Sequence, residues 1–253
     1  MIISVAQTQL FFLALTRILA MLVQVPMLGG PSIPNQVKIG LGILLTAVIL
    51  PWQPLPADAP TIDTLVYVVR IVQELLIGTL VGFAATLTFS AVQIAGEMMS
   101  LGSGFNSSRI LNPAMGEGGG AMDQLFVMVA LLLFLVLDAH HLLFMGLERS
   151  FTVIPLNSHL PEMPIDRLIS LFAQTVTVGI QMALPVVGVL LLADLTLGLL
   201  ARVAPQIQVF FLGMPIKIGV GLLVFSLSFS AIFPLLSGLF SKIGVHMLEL
   251  LGA

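Results

Sequence analysis

Charged residues are scarce in this chain: they make up only 8% of its 253 residues, whereas typical soluble domains contain about 25%. Hydrophobic residues make up 58%, and the mean hydropathy is +1.14. A soluble fold of this size would not have enough polar side chains to cover its surface, so lipid or other protein must cover it. The composition therefore predicts an integral membrane protein.

Several kinds of site are excluded because their residues are missing. There is no cysteine, which excludes disulfides and thiolate chemistry. The nine basic residues are scattered through a chain of net charge −3, so nothing indicates nucleic-acid binding. Neither a G-x-S-x-G elbow nor a P-loop is present, since the glycines of residues 116–120 lack the Lys-Ser/Thr that would follow them. We predict a protein that is not an enzyme and uses no cofactor.

Apolar runs of about the length that a helix needs to cross a membrane, roughly 20 residues, dominate the sequence instead. They predict an all-α polytopic membrane protein, a single domain over residues 1–253, with about six helical segments. Pro26 and Pro34 break the first segment, Pro51 ends the second, and Pro185 and Pro234 lie inside the fifth and sixth, so these helices should be kinked or discontinuous. Backbone groups freed at membrane depth must be covered by protein or by a water-filled cavity. This pattern favours a subunit packed inside a larger assembly, or a transporter with broken helices. The segments are residues 18–37, 39–57, 75–96, 124–147, 168–193 and 218–241.

Ionisable residues in apolar segments are candidates for functional sites, because a charge at the centre of a membrane helix costs roughly 2.5–3.5 kcal/mol. Arg70 and Glu74 are four residues apart, so they would share a helix face. An intrahelical ion pair is favoured there over a proton or ion relay. Asp194 and Arg202 are interpreted as anchors for neighbouring subunits or helix ends. The predicted buried charges are Arg17, Arg70, Glu74, Asp194 and Arg202.

The run Asp138-Ala139-His140-His141 has the residue types of a metal site. Consecutive histidines on a regular helix point about 100° apart, so both cannot bind one ion from such a helix. No further metal-binding motif accompanies them. We interpret the run as a polar cap where an apolar helix meets the membrane interface.

The segment from Gly102 to Ala121 is flanked by glycines, yet it contains four large apolar residues that a solvated linker would not need. Methionine packs adaptably, and an apolar constriction can close a pore by excluding water. The residues by themselves favour two interpretations equally. One is a flexible apolar gate, and the other is a re-entrant loop that buries these side chains against neighbouring helices.

The order of residue types along most of the chain resembles the FliR-type family of type III secretion export-gate proteins, whose virulence counterpart is SctT. The most specific part is residues 204–221, APQIQVFFLGMPIKIGVG. The supporting parts are residues 15–17, the spacing of Pro26 and Pro34 before Lys38, residues 72–78, and residues 91–113.

The resemblance implies a non-enzymatic gate subunit in the bacterial inner membrane, within the flagellar basal body. Such a subunit completes a helical ring with FliP-type and FliQ-type subunits, an FlhB-type partner associates with the ring, and unfolded flagellar proteins pass through the pore. The family's plug loop falls on Gly102 to Ala121, which favours the gating interpretation there. The implied gate residues are Phe105, Asn106, Ile110, Leu111, Pro113 and Met115. The implied subunit-packing residues are Pro205, Gln206, Phe210, Pro215 and Lys217.

Two alternatives remain. A stand-alone secondary transporter would also have broken helices and membrane charges, and residues 37–42 (VKIGLG) resemble residues 216–221 (IKIGVG), as in a diverged transporter repeat. Such a protein should purify as a monomer or homodimer. A membrane scaffold without a gate would keep the subunit interfaces, and the glycine-flanked loop would then be dispensable.

Overall fold

The described part of the chain is helical, with no β-strand within residues 5–30, 33–50, 62–104, 120–156, 158, 165–206 and 208–252 of the computed structural model. This confirms the all-α prediction. In chain order the helices are α1 (Val5–Gln24), α2 (Pro26–Gly29), α3 (Asn35–Ile49), α4 (Thr64–Ser103), α5 (Ala121–Val136), α6 (Ala139–Val153), α7 (Ile165–Val203), α8 (Val209–Ser241) and α9 (Ile243–Glu249).

Four of these helices, α1, α4, α7 and α8, are long and apolar enough to cross a membrane. A fifth span results if α5 and α6, which are separated by a short break, count as one. The prediction of a polytopic membrane protein is therefore confirmed. The six predicted segments fall on α1, α3, α4, the α5–α6 pair, α7 and α8, although α3 has only 15 residues and is too short to span by itself.

The first predicted segment is wrong at its start. The segment was predicted to begin after Arg17 because the stretch that follows contains no charge, whereas α1 begins at Val5 and contains Arg17, which is fully buried. The prediction was wrong because the charge of Arg17 is neutralised by Glu74, which is far away in the sequence. The predicted breaks near Pro26 and Pro34 are present, since α1 ends at Gln24 and α3 begins directly after Pro34.

At three other prolines the helix continues, although the sequence predicted a kink or a break at two of them, Pro185 and Pro234. Pro185 lies inside the continuous helix α7, and Pro215 and Pro234 lie inside α8. A proline in a helix interior removes one hydrogen bond and costs about 3 kcal/mol, but long membrane helices tolerate it because neighbouring groups satisfy the freed carbonyl. The break between α5 and α6 has no proline; there Asp138 has a φ of 55°, the left-handed conformation.

The chain divides into two compact units, and two of the boundaries lie inside α4 and α7. The first contains Met1–Phe89, Asp138–Phe172 and Ser241–Ala253, and the second contains Ser90–Leu137 and Ala173–Phe240. In the first unit, α1 supplies fully buried residues such as Leu13 and Ile18. In the second unit, aromatic rings pack edge to face, with Phe126 5.7 Å from Phe225 and Phe134 5.4 Å from Phe240 between ring centroids. That residues 1–253 fold as a single domain stays a prediction.

Gly78 allows α1 and α4 to approach closely in the first unit. A Cβ atom at Gly78 would lie 2.3 Å from the carbonyl oxygen of Arg17 and 2.8 Å from the Cβ of Ala20. Real Cβ atoms do not come so close to backbone, so any side chain at this position would push the two helices apart. The same contact places Arg17 against α4, where its charge is neutralised.

Gly78→Ala is therefore expected to destabilise the chain by about 1–3 kcal/mol, the usual range for overpacking. The matched control is Gly40→Ala on α3, where a Cβ would meet no atom within 4 Å. Its expected effect is neutral or a gain of up to about 1 kcal/mol from helix propensity. The check is the thermal unfolding midpoint of each purified variant in one detergent; equal midpoints for the two variants would contradict the proposed contact.

Candidate functional site

The predicted gate residues lie outside the described residues, but the structure shows what holds the two ends of their segment. We call these ends the loop base: residues 96–104, at the end of α4, and residues 120–123, at the start of α5. Both belong to the second unit. The gate residues that lie outside the described part are Phe105, Asn106, Ile110, Leu111, Pro113 and Met115.

A glycine brings the two sides of the loop base into contact. A Cβ atom at Gly96 would lie 2.7 Å from Oδ1 and 3.0 Å from Cα of Asp123, so the last turns of α4 and the first turn of α5 touch through their backbones. The side chain of Ser103 is fully buried, and its Oγ donates to the carbonyl of Met99 at 2.9 Å. Gly104 follows with a φ of 80°, a left-handed residue of the kind that ends helices. Helix α4 thus ends at Ser103, directly before the left-handed Gly104.

Two further helices of the second unit, α7 and α8, pack against the loop base. A Cβ at Gly102 would lie 3.1 Å from Cδ1 of Leu190 on α7, and one at Gly221 on α8 would lie 3.3 Å from Cβ of Ser103. Small residues at these three positions (102, 103 and 221) let α4, α7 and α8 come together. The loop base is therefore tightly packed on both sides of residues 105–119.

A second constellation is the Arg17 cluster in the first unit, made of Arg17, Glu74, Ser150, Phe151 and Ile154. Nε of Arg17 donates to Oε2 of Glu74 at 2.5 Å, and Nη1 donates to the carbonyl oxygens of Ser150 and Ile154, both at 2.9 Å. The guanidinium also lies 4.4 Å from the ring centroid of Phe151, within range of a cation–π interaction. One buried side chain thus joins α1, α4 and the end of α6.

The Arg17 cluster corrects the predicted Arg70–Glu74 pair. Glu74 is 3% exposed and bonds to Arg17, whereas Arg70 is half-buried and donates to Oε1 of Gln73 at 2.8 Å and to the carbonyl of Ser158. The i,i+4 spacing permits a pair but does not require one. Arg17 reaches the carboxylate because α1 packs on the buried face of α4. The predicted burial of Arg17 and Glu74 is confirmed.

The remaining predicted buried charges are differently placed. Asp194 and Arg202 are exposed on α7 within this single chain, so any burial of them by lipid or other subunits stays a prediction. Asp194 accepts a hydrogen bond from Nζ of Lys217 on α8 at 2.7 Å. This pair neutralises two charges between helices that are both apolar enough to span a membrane. Arg202 lies in the last turn of α7, where a cation interacts favourably with the helix dipole.

The predicted subunit-packing residues lie mainly at the surface of the chain. Pro205 and Gln206, between α7 and α8, are exposed, as is Pro215 on α8. Lys217 is half-buried and paired with Asp194. The side chain of Phe210 lies outside the described part. Exposure is what contact with another subunit requires, and the packing role itself stays a prediction.

The helices α7 and α8 also leave much apolar surface uncovered. Only 17% of the most apolar window of each helix is buried inside the chain, against 61% in α4. Side chains such as Leu195 and Leu199 on α7 and Leu227 on α8 are each at least 65% exposed. Lipid or other protein subunits must cover these faces, which agrees with the expectation from composition.

The structure places Asp138, His140 and His141 together in the first unit. One ligand atom from each lies within 4.8 Å of the others. His140 and His141 both lie in the first turn of α6, directly after Asp138, yet the centroids of their rings are only 4.2 Å apart. The argument against a shared ligand set therefore does not hold here.

Comparison with known proteins identifies the family to which the chain is similar. A family described as "Bacterial export proteins, family 1" matches residues 8–243. The chain is 33% identical to the flagellar biosynthetic protein FliR of Escherichia coli K12, and 32% identical to FliR of Pectobacterium carotovorum; each match covers 92% of this chain and 89% of the relative. It is 31% identical to FliR of Bacillus subtilis, over 91% of this chain and 90% of that one.

Proposed function

Because the chain belongs to the bacterial export proteins, family 1, we propose that it is the pore and gate subunit of the flagellar type III export apparatus. It is a membrane-embedded, non-enzymatic component of flagellar biosynthesis. Its finer role would be to close a ring of FliP-type and FliQ-type subunits and to place a flexible apolar plug across the pore. Energy for export would come from other components.

The proposal rests above all on one observation: a single family match extends over residues 8–243. That range includes the loop base, the intervening residues 105–119 and residues 204–221. The packed loop base supports the plug role, since a plug must be held at both ends while its middle can yield. The uncovered faces of α7 and α8 support an environment of sister subunits as well as lipid.

The partners and location follow from the same proposal. The FliP-type and FliQ-type subunits would cover the apolar faces, an FlhB-type subunit would associate with the assembled ring, and unfolded flagellar proteins would be the cargo. The assembly would lie in the inner membrane within the flagellar basal body. Pro205, Gln206 and Phe210 are the residues that we assign to contact with neighbouring subunits.

Native mass spectrometry tests the proposed assembly. The tagged chain is co-expressed with the FliP-, FliQ- and FlhB-type genes of its own genome and extracted in mild detergent. We expect a defined hetero-oligomer that contains one copy of this chain among several small membrane subunits, because the exposed apolar faces of α7 and α8 need to be covered. Co-expression with an unrelated set of membrane proteins is the control and should yield no such species.

A lone monomer or homodimer, found although the partner subunits are expressed, would contradict the assembly and favour the stand-alone transporter. The transporter interpretation further requires a bound small solute. The broken helices α5 and α6 and the Lys217–Asp194 pair are compatible with either function, so the composition of the purified particle decides between them.

A further inference from the structure

A cluster of metal-ligating side chains lies outside the gate and outside the subunit-packing residues. Asp138 directly precedes α6, and His140 and His141 lie in its first turn. Oδ1 of Asp138 is 3.5 Å from Nδ1 of His141, and a ligand atom of His140 completes a group in which all three atoms lie within 4.8 Å. The imidazole rings of the two histidines face each other, with centroids 4.2 Å apart.

These distances suit a small metal ion. Zinc bonds to nitrogen and oxygen ligands are about 2.0–2.2 Å long, so two ligand atoms on a tetrahedral ion lie roughly 3.3–3.5 Å apart. The Asp138–His141 separation already has that value. The ligand atom of His140 lies within 4.8 Å of the other two, so a bound ion would require a short approach of this side chain.

A simple ion pair between His141 and Asp138 explains only part of the cluster. The side chains of both residues are largely exposed, and that pair needs no third residue. Nδ1 of His140, in contrast, is buried and has no hydrogen-bond partner among the described residues. Buried polar atoms without a partner are rare, and an ion is one of the partners that explain them.

The geometry points to a binding site for one divalent first-row transition metal ion, held by Asp138, His140 and His141. Imidazole suits zinc, copper, nickel and iron, whereas a single carboxylate is a poor site for calcium or magnesium. Three protein ligands leave at least one coordination position open. The ion would link Asp138, in its left-handed conformation, to the first turn of α6, and it would offset the carboxylate charge at the break that precedes this helix.

Zinc binding by the full-length chain tests this inference. The chain is purified in detergent with a tag that contains no histidine, stripped with a chelator, and titrated with Zn²⁺ in competition with a chromogenic chelator. We expect one Zn²⁺ per chain, and a loss of affinity of at least about tenfold for His140→Ala or His141→Ala, comparable to the effect of removing groups that support a metal site. Glu148→Gln, which removes an exposed carboxylate from the same helix, should bind as the unaltered chain does.

Co²⁺ provides a readout that does not depend on any variant being folded. In the unaltered chain it should give the visible absorption of a tetrahedral or five-coordinate site with nitrogen ligands. The absence of stoichiometric Zn²⁺, or binding that is unchanged in both histidine variants, would overturn the site. The assay requires neither export nor assembly, so its outcome is independent of the proposed function.

Discussion

Replacing Arg17 by methionine is expected to lower the free energy of unfolding by about 3–5 kcal/mol, the usual effect of removing one partner from a buried ion pair. The variant would leave the carboxylate of Glu74, which is 3% exposed, without its cation. It would also remove the donor that reaches the carbonyls of Ser150 and Ile154 at the end of α6. Since whole domains are stable by only about 5–15 kcal/mol, we expect little folded protein.

The measurement is the yield of monodisperse protein in detergent, followed by its thermal unfolding midpoint. Glu74→Gln should be destabilising in the same direction, because it leaves the guanidinium of Arg17 buried without a counter-ion. The double variant Arg17→Met/Glu74→Met should recover part of the loss, since an apolar pair can replace a buried ion pair. Recovery is incomplete because the α6 carbonyls remain without their donor.

Arg149→Gln is the matched control, because Arg149 is an exposed arginine on α6. Its effect should lie within about 0.5 kcal/mol, as for most surface substitutions. If Arg17→Met and Arg149→Gln had equal unfolding midpoints, the buried pair would not be a major source of stability. A double variant no more stable than Arg17→Met would show that the carbonyl contacts, rather than the ion pair, are the main contribution.

Shortening the segment between Gly104 and Gly120 is expected to make the closed gate leak small ions. The physical reason is that a hydrophobic constriction blocks ions by excluding water, and the deletion removes the apolar residues proposed to form it. The measurement is the ion conductance of membranes that contain the assembled complex, with and without the deletion. The intact complex should be closed, and the shortened one should conduct.

A length-preserving variant separates chemistry from loop length. Replacing Phe105, Ile110, Leu111 and Met115 by serine keeps the backbone and removes only the apolar side chains, so it should leak as well. The control is a deletion of equal length, at most 11 residues, within residues 51–61, and it should not leak. Unchanged conductance in an assembled complex with either gate variant would contradict the plug role and favour a scaffold without a gate.

The sequence did not predict which charged residues pair with one another. Arg70 is the nearest opposite charge to Glu74 in sequence, whereas its actual partner Arg17 is 57 residues away. The sequence did show that Arg17 and Glu74 each need a partner, since both charges lie in apolar surroundings. The choice among the possible partners depended on how α1 packs on α4. The same holds for Asp194, whose partner Lys217 lies on the next helix.

The positions of the two histidine rings, His140 and His141, were also not predictable from the sequence. An angle of about 100° between consecutive residues holds for a regular helix, and the sequence offered no reason to expect otherwise at Asp138. Its left-handed conformation, with a φ of 55°, is uncommon for residues other than glycine, although asparagine and aspartate adopt it more readily than most. The three ligand atoms lie within 4.8 Å of one another, because the side-chain torsions, which the angle of 100° does not fix, decide where the ring atoms of the histidines lie.

The sequence by itself determined the membrane character, the all-α class, the absence of the enzymatic motifs and the family resemblance, because these depend on composition and on residues close together in the chain. Only the tertiary structure decided which charges pair and which helix faces are covered. The helices α4, α7 and α8 are all strongly apolar, yet α4 is mostly buried inside the chain whereas α7 and α8 are mostly exposed. An apolar pattern that extends around a helix cannot distinguish lipid from protein. Burial is set by contacts between residues far apart in sequence, such as Gly78 against Arg17.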